Sequence, residues 1–320
     1  MRVLVTGATG FLGHHVVEAL VARGHEVRAL ARAQSRAESI EALGASVVRG
    51  SFDERESLRR AAEVDAIVHA AGGGIVRSTA DFYRGNTDTT RALLEAAPST
   101  LARFLLVSSL AAHGPSRGLV PDDESVPDAP VSHYGRSKLL AEEAALACVD
   151  RFPVTALRPP ALYGPGEHRM VGLFRAAERG LVPMVHPSGT LSMLHGADCA
   201  QVIARALEVP HESGAYFAAE PRAYGRREMA ELIGRAVGRR VRVLPVPPSA
   251  MRAIGAAVEL AGTIRGRPVM LSRDKAADAT QRHQSCDASR ARRLLAWSTV
   301  HDFEAGAREA YADYRRRGWL

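Results

Sequence analysis

The chain has 320 residues, 46% hydrophobic and 24% charged, enough apolar material for one large domain or two intimate ones. That balance excludes a disordered, collagenous or disulfide-built protein. The formal net charge is +7, yet Lys138 and Lys275 are the only lysines among 42 basic residues; the arginines are scattered among Asp and Glu and aromatics reach only 5%, so they read as solvated helix faces rather than a nucleic-acid stripe.

The chain opens directly on an apolar strand, MRVLVTG, so no signal peptide is expected. Short β-rich runs follow at Arg2–Thr6, Glu26–Leu30, Ser46–Arg49, Ala66–His69, Phe104–Val107 and Val154–Arg158. Amphipathic stretches alternate with them at His14–Arg23, Ser57–Glu63, Thr87–Ala97 and Ser137–Cys148. Strands apolar throughout, separated by helices, predict an α/β fold: a doubly wound, Rossmann-type parallel sheet. After Leu162 the rhythm loosens. Leu191–Glu208 reads as a further helix and Ala215–Ala218 as a further strand rejoining the sheet. The expected division is therefore a dinucleotide-binding domain of residues 1–162 plus about 191–218, and a smaller discontinuous C-terminal lobe of about 163–190 and 219–320. The ligand cleft belongs between them, outside the carboxyl ends of the strands. The longest apolar helix, Met251–Gly262, is interrupted by Arg252 and Glu259 and is too short to span a bilayer. Cys148, Cys199 and Cys286 form no CxxC pair. A soluble cytoplasmic protein is expected.

The first strand runs into Gly7-Ala8-Thr9-Gly10-Phe11-Leu12-Gly13 and then a helix. In that strand–turn–helix setting Gly7 permits the tight turn, Gly10 lets the backbone approach a pyrophosphate and Gly13 lets the helix pack close. The second strand ends at Ala31-Arg32, with Arg36 beyond and no acid before Glu38. NAD sites place a carboxylate there for the ribose 2′-hydroxyl, so Arg32 with Arg36 favours NADP, NAD remaining possible.

Val107-Ser108-Ser109 ends one strand, and Tyr134 and Lys138 stand four apart on one helical face. A phenol is a poor base at neutral pH unless a nearby ammonium lowers its pKa. Ser109, Tyr134 and Lys138 are thus fitted to move a proton on and off an alcohol while hydride moves to or from a nicotinamide.

With these pieces in place, TGATGFLG, VDAIVHAAG, Asn86 in GNTDTTRALLEAA, LLVSSLAAHGP, YGRSK, LRPPALYGPG and CDASRARRLLAW together resemble the extended short-chain dehydrogenase/reductase superfamily over essentially the whole chain. The family's spacing before the tyrosine selects Ser109 over Ser108. The resemblance implies Tyr134 as acid/base, with Lys138 bridging it and the nicotinamide ribose. It also implies cofactor contacts from His69, Ala70, Ala71, Asn86, Val107 and Ser108, with Pro159, Ala161 and Leu162 near the carboxamide. The family usually has Asp after the glycine of its third strand; here Gly50-Ser51-Phe52 leaves Ser51, beside Phe52, to accept from the adenine amino group. Asp53 instead reads as a helix cap with Glu56 three residues on.

Sugar-nucleotide epimerases of this family have asparagine where this chain has Ala161, and a diphosphate-binding arginine where it has Leu191. Apolar residues in those slots point to a mostly apolar substrate. Leu244–Pro248, an alanine-rich helix and RGRPVMLSRDKA resemble the 3β-hydroxysteroid dehydrogenase/dihydroflavonol reductase-like branch. His113, His133, Met193 and Gly73, in the loop Gly72–Val76, are candidates to meet substrate. His186 and His195 lack metal-ligand spacing and carboxylate partners, so no metal is expected; Asp198 reads as a structural cap. The expectation is an NADP-preferring oxidoreductase interconverting a carbonyl and a secondary alcohol on a small molecule, with a homodimer implied by the resemblance. The alternatives are a nucleotide-sugar epimerase with tightly bound NAD and a non-catalytic redox sensor.

Overall fold

A sheet whose strands are apolar on both faces needs helices on both faces, and the chain supplies them. The computed structural model describes residues 1–73, 77–266, 268–269 and 271–320. Seven strands, β1 (Arg2–Thr6), β2 (Glu26–Ala31), β3 (Ser46–Arg49), β4 (Ala66–His69), β5 (Arg103–Val107), β6 (Val154–Arg158) and β7 (Gly214–Phe217), form one sheet in the order β7-β6-β5-β4-β1-β2-β3. Every pair is parallel. The order reverses between β1 and β4, the switch point where such sheets open a crevice at their carboxyl ends.

Successive residues of a strand face opposite sides, and the cores follow that period. Val3 and Val5 of β1 and Val68 of β4 pack with Val16, Val17 and Leu20 of helix α1 (Phe11–Ala22). Leu4 and Ile67 face the other way, toward Leu58, Leu93 and Ala141, the last on helix α2 (His133–Leu146). Helix α3 (Gly196–Glu208) joins α1 on the first face through Cys199, Val202 and Ile203. Helix α4 (Arg273–Ala279) packs beside α2, at the mouth of the crevice. A third core gathers Tyr163, Phe174, Val182, Met184, Met193, Tyr224, Ile233, Phe303 and Tyr314, away from the sheet. Ala291, Leu295 and Trp297 return to the sheet's first face.

Two local expectations change. Leu191–Glu208 is not one helix: Thr190–Leu191 pairs with Tyr224–Gly225 and His283–Gln284, Met193–His195 pairs with Ala161–Tyr163, and helix begins only at Gly196. There the apolar side chains serve two small sheets before the helical period takes over. The helix after β3 starts at Arg55 with Glu54 as its N-cap residue, and Ser57 Oγ donates to both the Glu54 carbonyl and carboxylate, so Asp53 is not its cap. Among the described residues no helix is long and apolar enough to cross a membrane.

Candidate active site

The carboxyl ends of the strands enclose a cavity of about 890 Å³ that runs from the glycine loop to Tyr134 and Lys138. Its phosphate-loop end is set by what glycine lacks. A Cβ on Gly13 would lie 2.0 Å from the Gly7 carbonyl oxygen, and one on Gly7, whose φ is +71°, would lie 2.6 Å from the Ala71 nitrogen. A Cβ on Gly10 would meet the Gly7 oxygen tightly, at 3.3 Å, and no other atom, and Gly10 itself lines the cavity. Gly10 is also the N-cap residue of α1 and has no side chain to bond the first amides, leaving them for an anion. Thr6 Oγ1 bonds His69 Nδ1 at 2.7 Å and accepts from the Ala71 amide, which ties β1 to β4 at the switch point.

Ser109 is the N-cap residue of the short helix Leu110–His113, its Oγ accepting from the Ala111 amide at 3.2 Å. Tyr134 and Lys138 lie in the first turns of α2, whose start is held by Ser132 Oγ and by Asp274 of α4, which accepts from the His133 and Tyr134 amides at 2.6 and 3.1 Å. Four residues past Lys138, buried Glu142 meets Arg158 Nε at 3.0 Å; Arg158 also forks onto Asp128, which accepts from His113. This network pins α2 to β6. Asn86, in a π-helical turn Tyr83–Asp88, donates to Ser137 Oγ at 2.9 Å and accepts from the Gly73 amide at 3.0 Å. It fastens the loop after β4 to the same helix, a common use of π-turns near functional sites.

The electrostatics differ from the expected depression of the phenol. Burial holds Tyr134 above the usual phenol range; the Ser109 hydroxyl and the Arg169 guanidinium pull the other way. Lys138 donates to the Val107 carbonyl at 3.0 Å, and burial, opposed by Glu142, pushes its ammonium down to about 8. At neutral pH the phenol therefore keeps its proton.

Of the expected cofactor residues, Gly7, Gly10, Phe11, Leu12, Gly13, Ala70, Val107, Ser108, Tyr134, Lys138, Pro159, Ala161 and Leu162 line this cavity, and so do Ser109, Gly73 and Met193. Thr9, Arg32 and Arg36 are exposed and outside its wall; Ser51 and Ala71, both half-buried, also lie outside it. Phe52 lines a separate cavity of about 240 Å³ and packs on His69, which is wholly buried and offers the cleft no side chain. Asn86 acts through the Gly73 loop rather than on the cavity wall. His113 is corrected: it is buried between Asp122 and Asp128, which raise its pKa against the effect of burial, and it does not reach the cavity. His133 is corrected likewise, exposed and bonded to the Tyr83 hydroxyl at 2.9 Å. Gly74–Val76 of the glycine loop lie outside the described residues.

Asp198 accepts from the Val300 and His301 amides, a structural role. His195 does gain a carboxylate neighbour, correcting the reading from spacing: Glu309 lies 3.9 Å away and His301 stacks on its ring, so three possible ligand atoms fall within 4.8 Å of one another. They come from segments too far apart in sequence to show a spacing motif. Sequence reasoning also missed the polar wall of the cavity: Glu167 and Arg169, which bond each other, with Lys275, Asp278 and the neutral Gln284. One signal was available. The lysine scarcity that singles out Lys138 singles out Lys275 equally, and both lysines of the chain line this cavity.

Residues 3–218 match the family described as the NAD dependent epimerase/dehydratase family. A ceramide reductase of Caulobacter vibrioides is 32% identical over 278 residues, 86% of this chain and 82% of that protein. A 4-hydroxy-2-methyl-3-oxo-4-farnesyl-3,4-dihydroquinoline-1-oxide ketoreductase of Stigmatella aurantiaca is 38% identical over 170 residues, 51% of each chain, so that match spans about half of the relative. Among solved structures, MoeE5 in complex with UDP-glucuronic acid and NAD superposes with a TM-score of 0.77 at 22% identity, covering 99% of this chain and 100% of that one. At that identity it attests the fold.

Proposed function

The chain belongs to the NAD dependent epimerase/dehydratase family, and on that premise we propose that it is an NADP-preferring reductase that converts a carbonyl on a largely apolar small molecule to a secondary alcohol. The observation that carries this reading is the placement of Ser109, Tyr134 and Lys138 in one cavity with the glycine loop, the phenol held above its usual range by burial. The residues fit a dinucleotide: the uncapped start of α1 and Gly10 on the cavity wall suit its phosphates, and the cavity continues from there to the phenol. When bound, the nicotinamide supplies the hydride.

The chain's own residues supply the rest. Ser109 donates to the substrate oxygen and holds it in line. Tyr134 gives its proton to that oxygen as negative charge develops there. Lys138, titrating near 8, stabilises the phenolate left behind and helps restore its proton. Arg32 and Arg36, exposed past the end of β2 with no carboxylate paired to either among the described residues, suit a 2′-phosphate. Leu110, Val131, Met170, Met193 and Met229 make much of the remaining wall apolar. Ala161 and Leu191 occupy that wall without the polar groups a sugar nucleotide needs, which weighs against the epimerase reading. Residues 1–162 with about 191–218 serve as the dinucleotide unit, and 163–190 with 219–320 as the substrate lobe; most of the third core belongs to that lobe, though Met193 joins it and Ala291, Leu295 and Trp297 pack back on the sheet.

The test is NADPH consumption with a panel of medium-chain ketones, by the wild-type protein and by Tyr134→Phe. Turnover is expected to fall by about 10²–10⁴ in the variant with NADPH affinity unchanged. A variant with full turnover, or a wild-type protein that retains bound NAD and epimerises UDP-sugars, rejects the reading.

A further inference from the structure

The second lysine lies against the catalytic tyrosine. Lys275 Nζ stands 3.6 Å from the centre of the Tyr134 ring and 6.0 Å from that of Phe82, and the side chain lines the cavity. It is half-buried, and burial lowers its pKa. Among the described residues no carboxylate comes within 4.0 Å of this ammonium, and no acceptor takes a hydrogen bond from it. The neighbouring acids are committed elsewhere or stand beyond ion-pair distance, Asp278 giving the strongest attraction of them. Asp274 caps the start of α2. Glu167 holds Arg169 through Nε and Nη2. Asp278 is pushed up to about 6 by burial, although Lys275 and Ser132 oppose that rise. The Arg169 guanidinium is near enough to act on both Tyr134 and Lys275 and adds to the positive potential there.

An ammonium partly withdrawn from water with no carboxylate in ion-pair contact is costly, and a ligand anion reduces that cost. Its position is not loose. Asp274, one residue before it, is bonded to the Tyr134 amide, so α4 presents Lys275 at a set place relative to the phenol.

We propose that Lys275 receives an anionic group of the substrate beside its reacting carbonyl, making the substrate class an oxo acid, such as a 3-oxo acid, with an apolar tail. The proposal rests on the reductase reading and sharpens it. The carbonyl oxygen sits at Ser109 and Tyr134 and the carboxylate meets Nζ across the face of the tyrosine ring. Those two sites lie side by side, so the two substrate oxygens must be close neighbours, as they are in a 3-oxo acid. The tail then runs along Leu110, Val131, Met193 and Met229. Lys275 is a specificity residue here; proton transfer stays with Tyr134.

The experiment compares 3-oxooctanoate, its methyl ester and octan-2-one as substrates for the wild type, Lys275→Met and Lys275→Arg, and separately measures the binding of octanoate to each protein in the presence of NADPH. For the wild type kcat/KM should favour the acid over the ester by about tenfold or more, as expected for a charge-assisted contact. The ratio should fall to about one in Lys275→Met and be partly kept in Lys275→Arg, which also controls for folding. Octanoate binding should weaken by a similar factor in Lys275→Met. Equal use of acid and ester by the wild type, or an acid preference and octanoate affinity that survive Lys275→Met, overturns the proposal. A protein that reduces none of the three, yet binds octanoate only when residue 275 is cationic, overturns the reductase reading and upholds the anion site.

Discussion

At the phosphate-loop end of the cleft, the residues that matter are neighbours in sequence, Gly7 to Gly13, and their role is written in what their missing side chains would strike. At the opposite end, Ser109, Tyr134, Arg169, Met193 and Lys275 come from five separate segments and meet only because α2, α4 and two small sheets converge. The first end is a backbone device and tolerates almost no change in volume. The second is assembled from side chains held by networks behind it, and its chemistry depends on how well those networks are satisfied. Specificity can therefore drift at the substrate end while the nucleotide end stays constant.

The sharpest way to break the assembled end is to remove the buried anchor of α2. Glu142→Ala leaves Arg158 with Asp128 alone, inside the protein, and should cost about 3 kcal/mol or more in chemical denaturation. Turnover should fall with it, since Tyr134 and Lys138 ride on the same helix. If stability drops by less than 1 kcal/mol, the network does not hold α2.

At the backbone end, Gly13→Ala drives a Cβ into the Gly7 carbonyl and should destabilise by about 1–3 kcal/mol or more. Gly10→Ala makes one tight contact, 3.3 Å to the Gly7 oxygen, so it should cost less stability than Gly13→Ala while NADPH affinity drops several-fold. The reverse pattern would mean that the roles of the two glycines have been misread.

Lys138 connects the two ends. Burial lowers its pKa in the folded chain to about 8, against an unfolded value near 10.5, so the folded state releases the proton first as pH rises. The unfolded chain then binds more protons between those values, and stability should climb across that window; below it the full burial penalty remains. Lys138→Met removes the penalty and should stabilise the fold by about 1–3 kcal/mol at pH 7, an advantage that shrinks toward pH 10, while turnover collapses. Urea titrations of both proteins at the two pH values decide it.

The smallest expected effect is cofactor choice. Arg32→Ala should weaken NADPH by about tenfold and leave NADH unchanged, one charge-assisted contact being lost. Fluorescence titration with both nucleotides reads it directly; equal losses for the two would remove Arg32 from the selection of NADP.

The six strands of residues 1–162, the glycine loop and the Tyr134–Lys138 pair are local signals in the chain: an apolar run between turns, a glycine pattern before a helix, an i, i+4 pair; Ser109, which shares their cavity, was chosen by the resemblance. The same locality explains the misses. His113 has the same side chain whether it faces a cavity or two aspartates, and only packing decided for Asp122 and Asp128. Leu191–Glu208 carries helix-compatible apolar spacing, but strand partners at Ala161, Tyr224 and His283 claimed its first residues. Burial set the phenol of Tyr134 high, where a nearby lysine alone would have set it low. Lys275 lies far along the chain from Tyr134, and no pattern of spacing joins them. The sequence by itself determined the α/β architecture and the nucleotide end, since hydrophobic period and glycine sterics act over a few residues. Tertiary structure decided the substrate end, because desolvation and charge pairing depend on which distant groups share the same small volume.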